Sequence, residues 1–328
     1  MAEGKRIVFL DVATPAMRKV LSENLPPGFE LVFADADTEE KAMAAVADAD
    51  FVFVWSAYVP TRVVEAASKA KLIQKAGEGT DRIDVATAAR LGIPVARTSG
   101  SNATSVAELA TLLILATMRW LPKAHNSTVS GGWLKFDLRP GSYELRGRQV
   151  GIVGLGKIGR IVSKQVQGFD ASAVYYDALR LPEAEEARLG VRYAPLDDLL
   201  RTSDVVTLHV PLLPSTRGLI GRRELSLMKP TAILVNSCRG AVVDEEDLYE
   251  ALKERRIRGA GIDVFAKEPP DPHHPLFSLD NVVVTPHYAG GTEDSEIEGA
   301  RRAYANILKV SRGEPLDPAD LAPVPKSS

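Results

Sequence analysis

The feature that most narrows what this chain can fold into is an alternation of short apolar runs with stretches of helical periodicity, arranged in two series. In the first, residues 7–10, 31–33, 51–55 and 72–75 read as strands, and residues 16–25 and 61–70 as helices. The strand runs are apolar almost throughout, not at every second position. Both faces are therefore expected to be buried, as in a parallel sheet covered by helices. From about Asn102 the character changes. Residues 105–120 make a long Ala- and Leu-rich helical stretch with Pro122 near its end, followed by a polar segment holding Gly131, Gly132 and Trp133. A second series begins at Gln149, with strands predicted at 150–153, 172–176, 205–208, 233–235, 260–263 and 282–285. A last helix is predicted over 292–312, before a proline-rich tail. It has no strand after it, so it must pack on something already built, and it is expected to return to the first domain. Two series imply two domains, in keeping with roughly 150 residues per domain in a chain of 328.

Composition removes several classes. Hydrophobic residues make up 45% and charged residues 25%, as in soluble globular proteins. The net charge of −3 gives no basic surplus for a nucleic-acid partner. Cys238 is the single cysteine, which excludes an intramolecular disulfide and a cysteine-rich zinc site. His125, His209, His273 and His274 lack metal-ligand spacing, so no metal is expected. The most apolar helical stretch, 106–118, contains Glu108 and falls short of the roughly 20 residues a membrane span needs. The apolar run after Lys5 and Arg6 is too short for the core of a signal peptide. A cytoplasmic α/β protein with no membrane partner is the expectation.

The second series opens on a motif. Gly154, Gly156 and Gly159 form G-x-G-x-x-G between an apolar strand and a helix predicted over 158–169. The next strand ends at Asp177, 18 residues past Gly159 and close to the ~20 expected of a ribose-binding acid. The first glycine permits a tight turn, the second lets backbone approach a pyrophosphate, and the third lets helix and strand pack closely. Backbone N–H groups at Gly156, Lys157 and Ile158 open the helix and present its positive end to an anion. Asp177 would accept bonds from ribose hydroxyls and repel a 2′-phosphate, so NAD is favoured over NADP, with Arg180 as the nearby cation that argues the other way. An S-adenosylmethionine enzyme shares this much, so the motif gives the ligand class and not the reaction.

Three later segments carry chemistry, each following a predicted strand. Arg239 lies in NSCRG at 236–240, Glu268 in DVFAKEP at 263–269, and His287 in TPHYAGG at 285–291. In an open parallel sheet the ligand crevice lies beyond the C-terminal strand ends, so these three are expected to converge. Arginine matches a carboxylate with a planar fork. Histidine exchanges a proton near neutral pH, and a carboxylate beside it orients the ring. Next to a nicotinamide this set would interconvert a 2-hydroxy acid and a 2-oxo acid. Taken singly, each has a plainer reading: a surface salt bridge, a loop charge, a buried hydrogen-bonded histidine.

These segments, with KAGEGTDRID at 75–84, NATSVAE at 102–108 and HVPL at 209–212, resemble the D-isomer-specific 2-hydroxyacid dehydrogenases over nearly the whole chain. That family includes D-3-phosphoglycerate, glyoxylate/hydroxypyruvate and D-lactate dehydrogenases. The resemblance implies two Rossmann-like domains. An NAD-binding domain (102–288) would be inserted into a flavodoxin-like substrate domain (1–101 plus 289–328). It implies Arg239, Glu268 and His287 as catalytic residues, and Asp263 as holding the nicotinamide carboxamide. Pro211 and Thr216 would line the adenosine side, with Cys238 also at the cofactor. Backbone groups at Glu78 and Gly79 would help Arg239 hold the substrate carboxylate. The family is commonly homodimeric through the nucleotide domains, with the helix from Ser105 contributing. With the sequence ending near residue 328, no C-terminal regulatory domain of the kind in long phosphoglycerate dehydrogenases is expected.

Two positions depart from the family, which usually has a small or apolar residue at Glu78 and Asn at Arg82. Glu78 either points to solvent or disfavours a second anion on the substrate by like-charge repulsion, which would favour small mono-anionic acids such as glyoxylate, hydroxypyruvate or pyruvate. Cys238 is either a small buried residue or a thiolate favoured by Arg239. A different functional class stays open: the family includes NAD(H)-sensing transcriptional corepressors that retain the catalytic three, although this chain shows no long disordered tail. A Rossmann-fold methyltransferase would leave the Arg–Glu–His set unexplained.

Overall fold

The computed structural model describes residues 4–324, so the first three residues and the last four of the proline-rich tail lie outside it. The chain divides into two compact units, one running up to Asn102 and resuming at Gly291, the other spanning Ala103–Gly290.

The first unit runs β1 (Lys5–Phe9), α1 (Pro15–Glu23), β2 (Phe29–Phe33), α2 (Glu39–Val46), β3 (Phe51–Val54), α3 (Thr61–Ala66), β4 (Ile73–Lys75), α4 (Val85–Arg90) and β5 (Val95–Arg97). The strands are all parallel in the order β2-β1-β3-β4-β5, the flavodoxin-like arrangement. All four residues of β3 are buried, as its uninterrupted Phe-Val-Phe-Val demands. Thr14 caps α1 by accepting from the Met17 N–H, and Pro15 in the first turn needs no partner for a missing N–H.

The second unit runs α5 (Ala103–Met118), α6 (Leu121–Val129), β6 (Gln149–Val153), α7 (Lys157–Gln167), β7 (Ser172–Tyr176), α8 (Glu183–Leu189), β8 (Val191–Tyr193), α9 (Leu196–Thr202), β9 (Val205–Leu208), α10 (Arg222–Leu227), β10 (Ile233–Asn236), α11 (Glu245–Lys253), β11 (Gly259–Ile262) and β12 (Val282–Val284). The order β12-β11-β10-β9-β6-β7-β8 is the doubly wound nucleotide-binding pattern, reversing direction between β6 and β9, with one further strand. One face is covered by α5 and α7. A Cβ on Gly261 would lie 2.9 Å from the Leu113 side chain, so the glycines of β11 let α5 approach closely.

Read from the sequence, Pro122 sits near the end of one long helix. The structure instead ends α5 at Met118, places Trp120 in the left-handed region (φ 55°), and puts Pro122 in the first turn of α6. A proline is as good a helix opener as a helix stopper, and here it opens one. The last helix, α12 (Glu293–Ser311), is capped by Thr292 and lies in the first unit. Its Ala300, Ala303, Tyr304 and Ile307 pack with Ile7, Phe9, Leu21, Phe51 and Phe53. The Tyr304 hydroxyl donates to the Leu21 carbonyl at 2.9 Å. Among the described residues no single helix is long and apolar enough to cross a membrane.

Candidate active site

The site in the second unit is built on strand ends. After β6 the chain turns at Gly154, whose φ of 96° suits glycine, and a Cβ there would meet the His209 carbonyl at 2.5 Å. Gly156 precedes α7, and a Cβ on it would have no neighbour within 4 Å, which leaves the backbone approachable from outside. A Cβ on Gly159 would lie 2.2 Å from the Gly154 carbonyl oxygen, so only glycine lets α7 pack this closely on the turn. The three glycines thus occupy the three situations that a pyrophosphate loop requires. Lys157 and Ile158 form the first turn of α7, whose N–H groups face no helical partner. Asp177 follows β7, and its carboxylate accepts from the Leu155 N–H at 2.8 Å, tying the acid to the loop.

Three strands further along lie the titratable groups. Asn236 ends β10 and is 1% exposed. Its side chain accepts from the Cys238 N–H at 3.1 Å and donates to the Arg239 carbonyl at 3.0 Å, so it shapes the turn that presents Arg239. The next residue, Gly240, packs on the neighbouring loop: a Cβ there would lie 1.9 Å from the Phe265 carbonyl carbon. In that loop the Phe265 N–H donates to Glu268 at 3.2 Å. Glu268 in turn receives Nδ1 of His287, with contacts of 2.7 and 2.8 Å to its two oxygens. This pair leaves Nε2 of the exposed His287 ring for other partners.

His287 itself sits at φ 51°, a left-handed conformation. Asp263, fully buried after β11, holds the His287 segment: its carboxylate accepts from the Thr285 hydroxyl (2.6 Å) and from the N–H groups of Tyr288 and Ala289 (3.1 Å each). Its backbone carbonyl takes the His287 N–H at 2.7 Å. The arrangement is a proton-exchanging imidazole oriented by a carboxylate, with an arginine fork on the adjoining loop. Among the described residues no group of His, Cys, Asp and Glu is placed to hold a metal ion.

The family model described as "D-isomer specific 2-hydroxyacid dehydrogenase, NAD binding domain" matches residues 111–289, more than half of the chain. The chain belongs to this family. D-3-phosphoglycerate dehydrogenase of Methanocaldococcus jannaschii is 41% identical over 287 residues, which cover 87% of this chain and 54% of that protein. The chain thus spans about half the length of that relative. Glyoxylate reductase of Korarchaeum cryptofilum is 41% identical over 259 residues, covering 78% of this chain and 77% of the reductase. An NAD-dependent formate dehydrogenase from Staphylococcus aureus, solved in complex with NAD, aligns with a TM-score of 0.85 at 27% identity, covering 97% of this chain and 99% of that one.

NAD is the cofactor of this dehydrogenase family's nucleotide domain, and the residues present fit it: the open backbone at Gly156 suits a pyrophosphate and Asp177 suits a ribose. Pro211 and Thr216 lie beyond β9, where the Thr216 hydroxyl closes their turn by donating to the Pro211 carbonyl at 2.6 Å. His209, just before them, is neutral: burial lowers its pKa to about 4. Cys238 is not the activated thiolate that its neighbour Arg239 suggested. Burial pushes the thiol up to about 11, outweighing the arginine.

Glu78 and Gly79 belong to the first unit. The Glu78 carboxylate pairs with Arg97 at 2.8 Å and accepts from the Ser99 hydroxyl at 2.7 Å and the Gly100 N–H at 3.1 Å. The carboxylate is thus paired with a cation, and its side chain is 45% exposed. Two residues to which sequence reasoning gave no role, Asn236 and Gly240, emerge as supports, and Asp263, expected at the nicotinamide, also holds the His287 loop. The buried acid after a strand was visible. Its use as a brace was not, since that depends on which N–H groups the fold turns toward it.

Proposed function

We propose that this protein is an NAD-dependent oxidoreductase interconverting a small D-2-hydroxy acid and its 2-oxo acid. The observation that carries the reading is the His287–Glu268 pair, 2.7 Å apart, in the same unit as the glycine loop. The bound nicotinamide would supply or accept the hydride. The chain's own residues do the rest. Arg239 holds the substrate carboxylate with its planar fork and polarises the neighbouring carbonyl. In reduction, His287 delivers a proton from Nε2 to the carbonyl oxygen, and in oxidation it removes the hydroxyl proton. Glu268 accepts from Nδ1 and fixes the ring with Nε2 turned to the proton exchange.

The relatives named glyoxylate reductase, similar over most of their length, support glyoxylate as a substrate, with hydroxypyruvate a second candidate on the family resemblance. We also propose a cytoplasmic homodimer. Leu121, Val129, Trp133 and Phe136, all exposed on and just after α6, are apolar surface suited to a second copy. The deciding experiment is NADH oxidation followed at 340 nm with glyoxylate, hydroxypyruvate, pyruvate and phosphohydroxypyruvate. Turnover of the mono-anionic acids is expected. Tight NADH binding without turnover of any 2-oxo acid would overturn the enzyme reading in favour of a nucleotide sensor.

A further inference from the structure

The surroundings of Asp177 hold more charge than a ribose site needs. Arg180 lies three residues beyond Asp177, and Arg160 projects from α7 just after the glycine loop. Both are cations of the kind that grips a 2′-phosphate. Each is held by an acid of α8. Arg160 pairs with Glu185 at 2.5 Å, and Glu185 also takes Arg188 at 2.7 Å. Arg180 donates Nε to Glu186 at 2.9 Å and Nη2 to its second oxygen at 3.2 Å, a two-pronged grip. The guanidinium also lies over the Tyr193 ring, 5.4 Å from its centroid.

Glu186 is not an incidental surface acid. It is 7% exposed, although it sits in a short helix facing solvent on its other sides. The buried Tyr175 hydroxyl donates to it at 2.9 Å, while accepting from the Leu181 N–H at 2.8 Å. Tyr175 belongs to β7, the strand that ends at Asp177, so Glu186 is anchored to the element that carries the ribose acid. Arg180 holds its carboxyl below the usual carboxylate range, so it is ionised at neutral pH.

We propose that Glu186 is a cofactor-specificity residue that acts through Arg180: it anchors the guanidinium on α8 and so withholds from a 2′-phosphate the cation nearest Asp177 in the chain. This inference rests on the NAD reading of Asp177. Selectivity then has two parts, a carboxylate that repels the phosphate and a second carboxylate that occupies its would-be partner.

The test is fluorescence titration of NADH and NADPH on the full-length protein, reading dissociation constants without any substrate. E186Q keeps an oxygen for the Tyr175 hydroxyl but gives up the charge that grips Arg180. It should tighten NADPH binding about tenfold, the scale of one charge-assisted contact, and leave NADH within about twofold. E186Q/R180Q should lose that gain, since removing a negative charge without freeing Arg180 is not enough. R180Q alone should leave NADPH binding within about twofold of wild type. A folded E186Q with unchanged NADPH affinity, or a double variant that keeps the gain, overturns the proposal. So does an R180Q that weakens NADPH more than fivefold, which would mean Arg180 already serves the phosphate; this arm needs no folded E186Q. If the wild type binds both nucleotides equally, the Asp177 reading fails instead, a separate result.

Discussion

His287 combines a left-handed backbone (φ 51°) with a side chain fixed by Glu268. A non-glycine residue in that region carries strain of order 1–3 kcal/mol and persists only where its surroundings hold it. Here the three bonds to the Asp263 carboxylate and the one to its carbonyl do the holding. His287→Ala should lower kcat by about 10²–10⁴, the usual loss of a general acid–base, with NADH affinity kept within a few-fold. A variant with near-normal kcat in the coupled NADH assay would remove the residue from the chemistry. Cys238 offers a second check. With its pKa raised to about 11, roughly a thousandth of the thiol is ionised at pH 8. It should resist a thiol reagent such as DTNB in the native protein at pH 8 and react fully in guanidinium. Rapid native labelling would show that the turn opens. Arg239, Glu268 and His287 were legible in the sequence as a candidate set because each stands past an apolar strand run. The pairing of Glu78 with Arg97 was not. It depends on β4 and β5 lying side by side, with Lys75 opposite Arg97, a register no local pattern announces.

Loops, more than strands, carry the precision of this unit, and one of their contacts is backbone on backbone. Gly240 lies against the Phe265–Ala266 peptide, so the Arg239 loop and the Glu268 loop are held at a fixed spacing. Gly240→Ala cannot be accommodated by a rotamer change, because the neighbour it meets is main chain. We expect a loss of about 1–3 kcal/mol in stability, with kcat/KM falling at least tenfold. Denaturant titration beside steady-state kinetics checks both, and a stable variant of normal activity would show that the loops are independent. At α8, Arg188 and Arg160 lower the Glu185 pKa to about 2. A depressed folded-state pKa stabilises above the unfolded value of about 4.5, and that stability is lost as pH falls toward about 2. Glu185→Gln should therefore flatten the decline of Tm across this window and leave its slope near pH 7 unchanged. Element placement followed the sequence wherever runs were long: β7 and β9 fall where apolar periodicity put them. The three-residue strands β5 and β8 escaped notice because Val-Ala-Arg and Val-Arg-Tyr are too short to show any period. They exist because a neighbouring strand offers them a hydrogen-bonding edge.

For the molecule as a whole, ligand and fold are linked through one unit. NADH at a hundredfold excess over its Kd should stabilise the unit Ala103–Gly290 by about 2.7 kcal/mol, raising the calorimetric transition that contains it. Asp177→Ala should remove most of that rise, and an unshifted transition in the unaltered protein would speak against nucleotide binding there. The return of α12 to the first unit was foreseeable, since a helix with no following strand needs an existing surface. Its consequence reaches beyond packing. A ribosome makes the five strands β1 to β5 first, yet Ala300, Ala303, Tyr304 and Ile307, which cover one face of that sheet, emerge just over two hundred residues later. The inserted unit has all its own strands in hand by residue 284, before any of these four. During synthesis the order of completion is thus inverted: the half begun first is the half finished last, and its bare phenylalanines await a helix still to be translated.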